Sequence, residues 1–150
     1  MLLCALSICL ANLGSYVFVF WLPTTIHNAS GLSPVLSALY SALPLAAAAI
    51  FVLWSGRFSD RSGKRKLQTA ALMVLAGSLL SLSAVPGQPF LVVMIWLCLT
   101  AGAIYAWPPP FWVLPTLILG ESAGAAAIGL INMMAAMGGF LGPSIVGYLL

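Results

Sequence analysis

The stretch GRFSDRSGKRK, residues 56–66, contains every lysine and arginine of this 150-residue chain. Long apolar segments lie on either side of it, and 63% of all residues are hydrophobic while only 5% are charged. This composition offers too little polar surface to cover a water-soluble globule. Short basic loops are retained on the cytoplasmic side of membranes. The sequence therefore predicts an integral membrane protein in which residues 57–66 form a cytoplasmic loop.

The same composition argues against several other classes of protein. A net charge of +3 does not indicate a nucleic-acid partner, because the cations occupy one loop instead of spreading along a face. Cys4, Cys9 and Cys98 lie in apolar segments without the spacing of a metal site, so we predict no metal and no cofactor. The first apolar segment is too long for a signal peptide and lacks a basic start. It is interpreted as a membrane span.

Five segments have the roughly 20 mostly apolar residues that a membrane-crossing helix requires. Ser33 and Pro34 form a helix start, and Pro44 predicts a kink in the span that follows. We expect a loop at residues 22–33, a turn at residues 86–89 and a linker at residues 120–124. The prediction is a single all-α membrane domain, residues 1–150, with spans at about 2–21, 34–56, 67–85, 90–119 and 123–150.

The fourth segment leaves two interpretations open, because Pro108, Pro109, Pro110 and Pro115 interrupt it. Either the helix stops at Trp107 and a re-entrant stretch follows, or one long helix crosses with a broken middle. We favour the broken helix, because the residues after the prolines remain apolar over a helical length.

The basic loop also predicts the orientation of the chain. With residues 57–66 in the cytoplasm, the N-terminus and the linker at 120–124 are cytoplasmic, and the loops around His27 and Gln88 face outside. The chain begins and ends within apolar segments, so we expect it to be a fragment of a longer protein.

The spacing of residues 56–65 is similar to a known signature. It follows G-x-L-x-D-R-x-G-R-R, with Phe58 in place of leucine and Lys64 in place of arginine. This pattern resembles the cytoplasmic loop motif of the major facilitator superfamily, which implies a gate formed by Gly56, Asp60, Arg61, Gly63 and Arg65.

The physical properties of these residue types suit a gate. Gly56 permits close approach of helices and Gly63 a tight turn, while Asp60 can pair with Arg61 or face the N-terminus of a neighbouring helix. A solvated basic loop without a gating role is the alternative interpretation.

Four further stretches narrow the resemblance: FWLPTTI (20–26), SALYSALP (37–44), PFWVLPT (110–116) and INMMAAMGGFLGP (131–143). Together they resemble the C-terminal half of the anion:cation symporter family, the permeases for hexonates, tartrate and phthalate. The resemblance implies helices seven to eleven of a twelve-helix transporter in the bacterial inner membrane. It also implies a small organic anion substrate and an H⁺ or Na⁺ coupling cation. Its partners would be the lipid bilayer and the N-terminal half of the transporter, which this chain lacks.

Polar and aromatic side chains within spans are the candidates for substrate binding. Asn12 and Tyr16 share a helix face, Asn132 is an amide within the fifth span, and the indole of Trp112 can stack on or hydrogen-bond a polyol. The resemblance implies substrate contacts at Trp112 and Asn132 and near Asn12 and Tyr16. The alternatives are interhelical hydrogen bonding for the asparagines and interfacial anchoring for the aromatic residues.

Small residues in the fifth span predict close helix packing. Gly138 and Gly142 form a GxxxG pattern, and Gly139 and Pro143 lie beside it. No charged residue lies in the middle of a span, although proton coupling and carboxylate binding usually need one. We therefore expect the 150 residues alone to be incompetent for transport. Two other classes remain: an inert remnant or packing subunit, and a membrane enzyme, which the lone loop histidine makes a poor fit.

Overall fold

Seven α-helices build the part of the chain that the structure, a computed structural model, describes. The described backbone covers residues 2–118 and 121–149, and the described side chains cover residues 2–115 and 125–149. The helices are α1 (Leu2–Ser30), α2 (Pro34–Tyr40), α3 (Ala42–Ser62), α4 (Arg65–Ser83), α5 (Phe90–Ala106), α6 (Pro108–Ile118) and α7 (Glu121–Leu149). Within this part, five segments are long and apolar enough to cross a membrane: Leu2–Ser30, Pro34–Ser62, Arg65–Ser83, Phe90–Pro115 and Ala125–Leu149.

Helix α1 is longer than the sequence predicts. The loop expected at residues 22–33 is wrong over most of its length, because the helix continues through Pro23 to Ser30. A proline inside a helix removes a single backbone hydrogen bond and need not end it. The stop is at Gly31, which has a φ of 68° and donates its N–H to the carbonyl of His27 at 2.8 Å. The left-handed glycine was the stronger stop signal.

The second span consists of two helices with one residue between them. Helix α2 begins at Pro34, and its N-cap Ser33 accepts a hydrogen bond from the N–H of Leu36 at 3.4 Å. Helix α2 ends at Tyr40 and α3 begins at Ala42. Pro44 has no N–H to offer the carbonyl of Tyr40, so the helical ladder is interrupted at the end of α2. The interruption lies close to the kink that Pro44 predicts.

The basic stretch is mostly helical. Helix α3 runs to Ser62 and α4 begins at Arg65, so the loop predicted at residues 57–66 is reduced to Gly63 and Lys64. Gly63 has a φ of 64° and donates its N–H to the carbonyl of Ser59 at 3.1 Å. Such a left-handed glycine closes a helix within one residue. Four of the five positive charges are therefore carried on two helices, and Lys64 lies in the turn between them.

The turn between α4 and α5 is held by one glutamine. Gln88 donates from Nε2 to the carbonyl of Leu82 at 2.7 Å and to that of Val85 at 3.0 Å. Its Oε1 accepts a hydrogen bond from Nε1 of Trp96 at 2.9 Å. The side chain thereby binds one carbonyl in the last turn of α4 and one just after that helix, and it attaches both to the first turns of α5.

The fourth span breaks at Trp107, between α5 and α6. Pro108, Pro109 and Pro110 occupy the first three positions of α6, where a helix has no use for their missing N–H groups. The residues after the break are helical, as the broken-helix interpretation requires. The predicted end of this span at Leu119 lies outside the described residues, as does Gly120 of the predicted linker. The backbone of residues 121–124 belongs to α7.

The described residues divide into two compact units. One comprises the described parts of residues 1–21 and 112–150, and the other comprises Leu22–Phe111. In the second unit, α3 and α4 both pack against α5, whose buried residues include Leu97, Ala101 and Ala103. Lipid gives no hydrophobic driving force between helices, so this packing depends on close van der Waals contact.

Gly102 permits such contact between α3 and α5. A Cβ built there would lie 2.7 Å from Cγ of Phe51, which is closer than real Cβ contacts. Gly77 of α4 is a matched position, because a Cβ built there would meet no described atom within 4 Å.

We expect Gly102→Ala to lower the free energy of unfolding by about 1 kcal/mol or more, because the Phe51 ring must shift. Gly77→Ala should be neutral, or stabilising by up to about 1 kcal/mol through helix propensity. Thermal unfolding of the two purified variants in detergent measures the difference. Equal stability of the two would contradict the α3–α5 contact.

Candidate functional sites

The predicted gate motif contains an ion pair at the protein surface. Oδ1 of Asp60 lies 3.9 Å from Nη2 of Arg65, and the two side chains are 78% and 26% exposed. The partner is Arg65 and not the adjacent Arg61 that the sequence suggested first. Arg65 is the first residue of α4, so the carboxylate lies beside the N-terminus of that helix, where a negative charge is favourable. An exposed pair at this distance contributes about 0–1 kcal/mol.

The two glycines of the motif differ in their surroundings. Gly63 adopts the left-handed backbone that closes α3. Gly56 lies inside α3, and a Cβ built on it would meet no described atom within 4 Å. The close helix approach expected at Gly56 is therefore not made within the described part of this chain.

In the first unit, helices α1 and α7 lie against each other and run in the same direction. Gly138 faces Cys9, and Gly142, four residues later, faces Leu13. Contact positions advance together along both helices, as they do only in a parallel pair.

The α7 glycines bring the two backbones together. A Cβ at Gly138 would overlap the carbonyl oxygen of Cys9, and one at Gly142 would overlap that of Leu13. A Cβ at Gly139 would lie 3.1 Å from the ring of Tyr16. Pro143 follows inside the same helix and is half-buried. Small residues at such contacts permit the van der Waals packing on which helix association in lipid depends.

Two of the four substrate-binding candidates lie on α1 and contact α7. Nδ2 of Asn12 donates a hydrogen bond of 3.2 Å to the carbonyl of Ala135. Tyr16, one turn along α1, packs its ring on Gly139 and is 45% exposed. The Asn12 hydrogen bond is the interhelical contact that the sequence left as an alternative role. It occupies one of the two amide hydrogens.

The other two candidates also belong to the first unit. Asn132 lies on α7 about one turn before Ala135, and its side chain is exposed. Trp112 lies on α6, five residues after the break at Trp107, and is half-buried. The structure thus places Asn12, Tyr16 and Asn132 along one helix pair. Substrate binding by all four residues stays a prediction.

Sequence reasoning missed a buried polar group in the second unit. Oγ of Ser55 donates a hydrogen bond of 2.5 Å to the carbonyl of Ala106, and Nε2 of Gln68 donates to Oγ of Ser55 at 2.8 Å. Ser55 and Ala106 have no exposed surface, and Gln68 is 8% exposed. A signal was present in the sequence, because Pro110 removes the helical donor of the Ala106 carbonyl.

The described residues contain no group of three or more His, Cys, Asp or Glu side chains that could hold a metal ion. The polar groups gathered on α1 and α7 are instead neutral hydrogen-bonding side chains on membrane-spanning helices. Such an arrangement defines a multi-pass helical membrane protein with polar groups inside its helix contacts, as transporters have.

Comparison with known families identifies the chain. The family model of the Major Facilitator Superfamily matches residues 1–143, so the chain belongs to that superfamily. Its five spans fit a part of the twelve-helix fold of these transporters. No solved structure matches the chain at a significant level.

Several curated proteins are similar to the chain. A protein of Agrobacterium vitis, whose name gives tartrate as the transported compound, is 34% identical over 91% of this chain and 30% of its own length. The inner membrane transport protein RhmT of Escherichia coli (strain K12) is 35% identical over 85% of this chain and 30% of its own length. A quinolone resistance transporter of Acinetobacter baumannii is 30% identical over 99% and 34% respectively.

These relatives are transporters by name and not enzymes. The chain spans about a third of the length of the curated relatives it matches.

Gly138→Ala tests the contact between α1 and α7. The new methyl group would overlap the backbone of Cys9, so the helices must move apart, and we expect the free energy of unfolding to fall by about 1–3 kcal/mol. Gly129→Ala is the matched control on the same helix, because a Cβ there would meet no described atom within 4 Å. Thermal unfolding in detergent compares the two, and an equal effect of both substitutions would refute the packing.

Gly63→Ala and Gly56→Ala separate the two glycines of the gate motif. Alanine at Gly63 must adopt a positive φ and should destabilise the protein by about 1 kcal/mol. Alanine at Gly56, inside a helix and with open space around its Cβ, should be neutral or stabilising. The melting temperatures of both variants provide the measurement. A Gly56→Ala variant that is the less stable of the two would indicate a helix contact made outside the described residues.

Proposed function

We propose that the protein containing this chain is a secondary active transporter that moves a small organic anion across the membrane by alternating access. The match of the superfamily model to residues 1–143 carries this proposal. The substrate class is supported by the similarity to the Agrobacterium vitis protein named for tartrate, at 34% identity. Symport with H⁺ or Na⁺, and a location in a bacterial inner membrane, complete the proposal.

The candidate residues suit such a substrate chemically. The amides of Asn12 and Asn132, the hydroxyl of Tyr16 and the indole N–H of Trp112 are neutral hydrogen-bond donors. Hydroxyl and carboxylate oxygens of a sugar acid accept hydrogen bonds from all of them. Neutral donors can orient such an anion, while its charge requires a cationic partner that these four residues do not supply. We propose that this partner lies in the N-terminal half.

Asn132 is the substrate-binding candidate that is easiest to test. Its exposed amide can donate to a ligand without first losing another hydrogen bond. Asn12 differs, since one of its amide hydrogens is bound to Ala135. Loss of Asn12 should therefore affect both the stability of the helix pair and binding, whereas loss of Asn132 should affect binding alone.

We expect Asn132→Ala in the full gene product to raise the KM for uptake of a labelled sugar acid by roughly 5- to 10-fold, the equivalent of one lost hydrogen bond. Expression and melting temperature should not change. Asn28→Ala is the matched control, because Asn28 is an exposed amide near the end of α1. An unchanged KM would contradict substrate binding by Asn132 and favour the alternative interhelical role.

The same uptake assay tests the substrate class and the coupling. Uptake that falls with an uncoupler indicates H⁺ symport, and uptake that requires Na⁺ indicates Na⁺ symport. A protein that confers quinolone resistance without sugar-acid uptake would follow the Acinetobacter baumannii relative and refute the organic-anion proposal. Uptake by vesicles containing these 150 residues alone would refute the need for a second half.

A further inference from the structure

The carbonyl of Ala106 has lost its helical hydrogen-bond donor. In an α-helix the carbonyl of one residue accepts from the N–H four positions later, and four positions after Ala106 lies Pro110, which has no N–H. Ala106 has no exposed surface, so water does not reach it. A buried carbonyl in this position requires a donor from another part of the protein.

Ser55 of α3 provides that donor. Its Oγ lies 2.5 Å from the carbonyl oxygen of Ala106, and its side chain has no exposed surface. This hydrogen bond joins positions 51 residues apart, and it crosses from α3 to the last residue of α5. A serine in mid-helix usually bonds to a carbonyl of its own helix, so the bond to α5 is a specific feature of this site.

Gln68 of α4 fixes the direction of the serine hydroxyl. Its Nε2 donates to Oγ of Ser55 at 2.8 Å and to the backbone carbonyl of Ser55 at 3.0 Å. Because Oγ accepts from Gln68, its single hydrogen is left to point at Ala106. Hydrogen bonds in such a chain polarise and strengthen one another in a low-dielectric interior. Oε1 of Gln68 is buried without a hydrogen-bond partner among the described residues, so the amide is held by its nitrogen alone.

The residue after Ala106 is fixed by packing and a backbone bond. Trp107 forms an edge-to-face contact with Phe111, with ring centroids 5.5 Å apart, and its carbonyl accepts from the N–H of Phe111 at 3.3 Å. The break between α5 and α6 therefore has defined contacts on both sides.

We propose that Ser55 and Gln68 form a clamp that replaces the backbone hydrogen bond removed by Pro110 and thereby fixes the break in the fourth span. The clamp is defined as the hydrogen-bonded chain from Nε2 of Gln68 through Oγ of Ser55 to the carbonyl of Ala106. Ser55 and Gln68 are positioning residues in it. The clamp attaches the break to both helices that carry the gate motif, and this holds whatever compound the protein transports.

A double-mutant cycle in the full gene product tests the clamp. Ser55→Ala should lower the melting temperature by about 2 °C or more, because it leaves the Ala106 carbonyl buried without a donor. Pro110→Ala supplies an N–H at the position that serves Ala106, so in that background Ser55→Ala should cost less than half as much. Pro109→Ala is the matched control, since its new N–H serves the carbonyl of residue 105, and in that background the full loss should remain.

Each outcome either supports or overturns the clamp. An equal loss in all three backgrounds, or no loss in the unmodified protein, overturns the clamp. If Ser55→Ala yields no folded protein, recovery with Pro110→Ala but not with Pro109→Ala supports the clamp, and failure of both overturns it. The melting temperatures do not depend on uptake, so failure of the transport proposal would leave this result interpretable.

Discussion

The constraint on which this structure depends is that a backbone carbonyl inside a membrane must find its hydrogen bond within the protein. Each proline within a span removes one donor, and this chain has ten prolines. Several lie where a missing N–H costs nothing, as Pro34 and Pro108 do at helix starts. Pro110 lies at a start too, yet it deprives the last carbonyl of the preceding helix, and Ser55 replaces the lost donor. At this site the position of a polar side chain inside a span follows from the position of a proline.

In the first unit, glycine residues allow two helix backbones to approach each other closely. Parallel α1 and α7 approach so closely that side chains at Gly138 or Gly142 would overlap the α1 backbone. The same approach brings the amide of Asn12 within hydrogen-bonding distance of the carbonyl of Ala135. A candidate binding residue is thereby held in place by packing of its neighbours, which is the condition for a preorganised site. On these two helices, the small residues permit the close approach that the hydrogen bond of the polar residue requires.

The sequence predicted the number of spans and the family, because apolar length and the motif spacing of residues 56–65 are properties of single segments. Helix ends were predicted less well. The sequence predicts a loop from residue 22, although α1 continues to Ser30, and it predicts a loop from residue 57, although residues 57–62 continue α3. Which polar atoms meet could not be predicted, since Ser55 and Ala106 are 51 positions apart and only tertiary packing joins them. Tertiary packing likewise distinguishes Asn12, which donates a hydrogen bond to Ala135, from Asn132, whose side chain is exposed.

Two polar contacts lie near the turn between α3 and α4, and their strengths differ. The ion pair of Asp60 and Arg65 is exposed and 3.9 Å long, so solvent and salt screen it to about 0–1 kcal/mol. The chain from Gln68 through Ser55 to Ala106 is buried, and opening it would leave polar atoms without partners at about 1–3 kcal/mol each. Breaking the surface pair therefore costs less free energy than opening the buried chain, which joins α3, α4 and the end of α5.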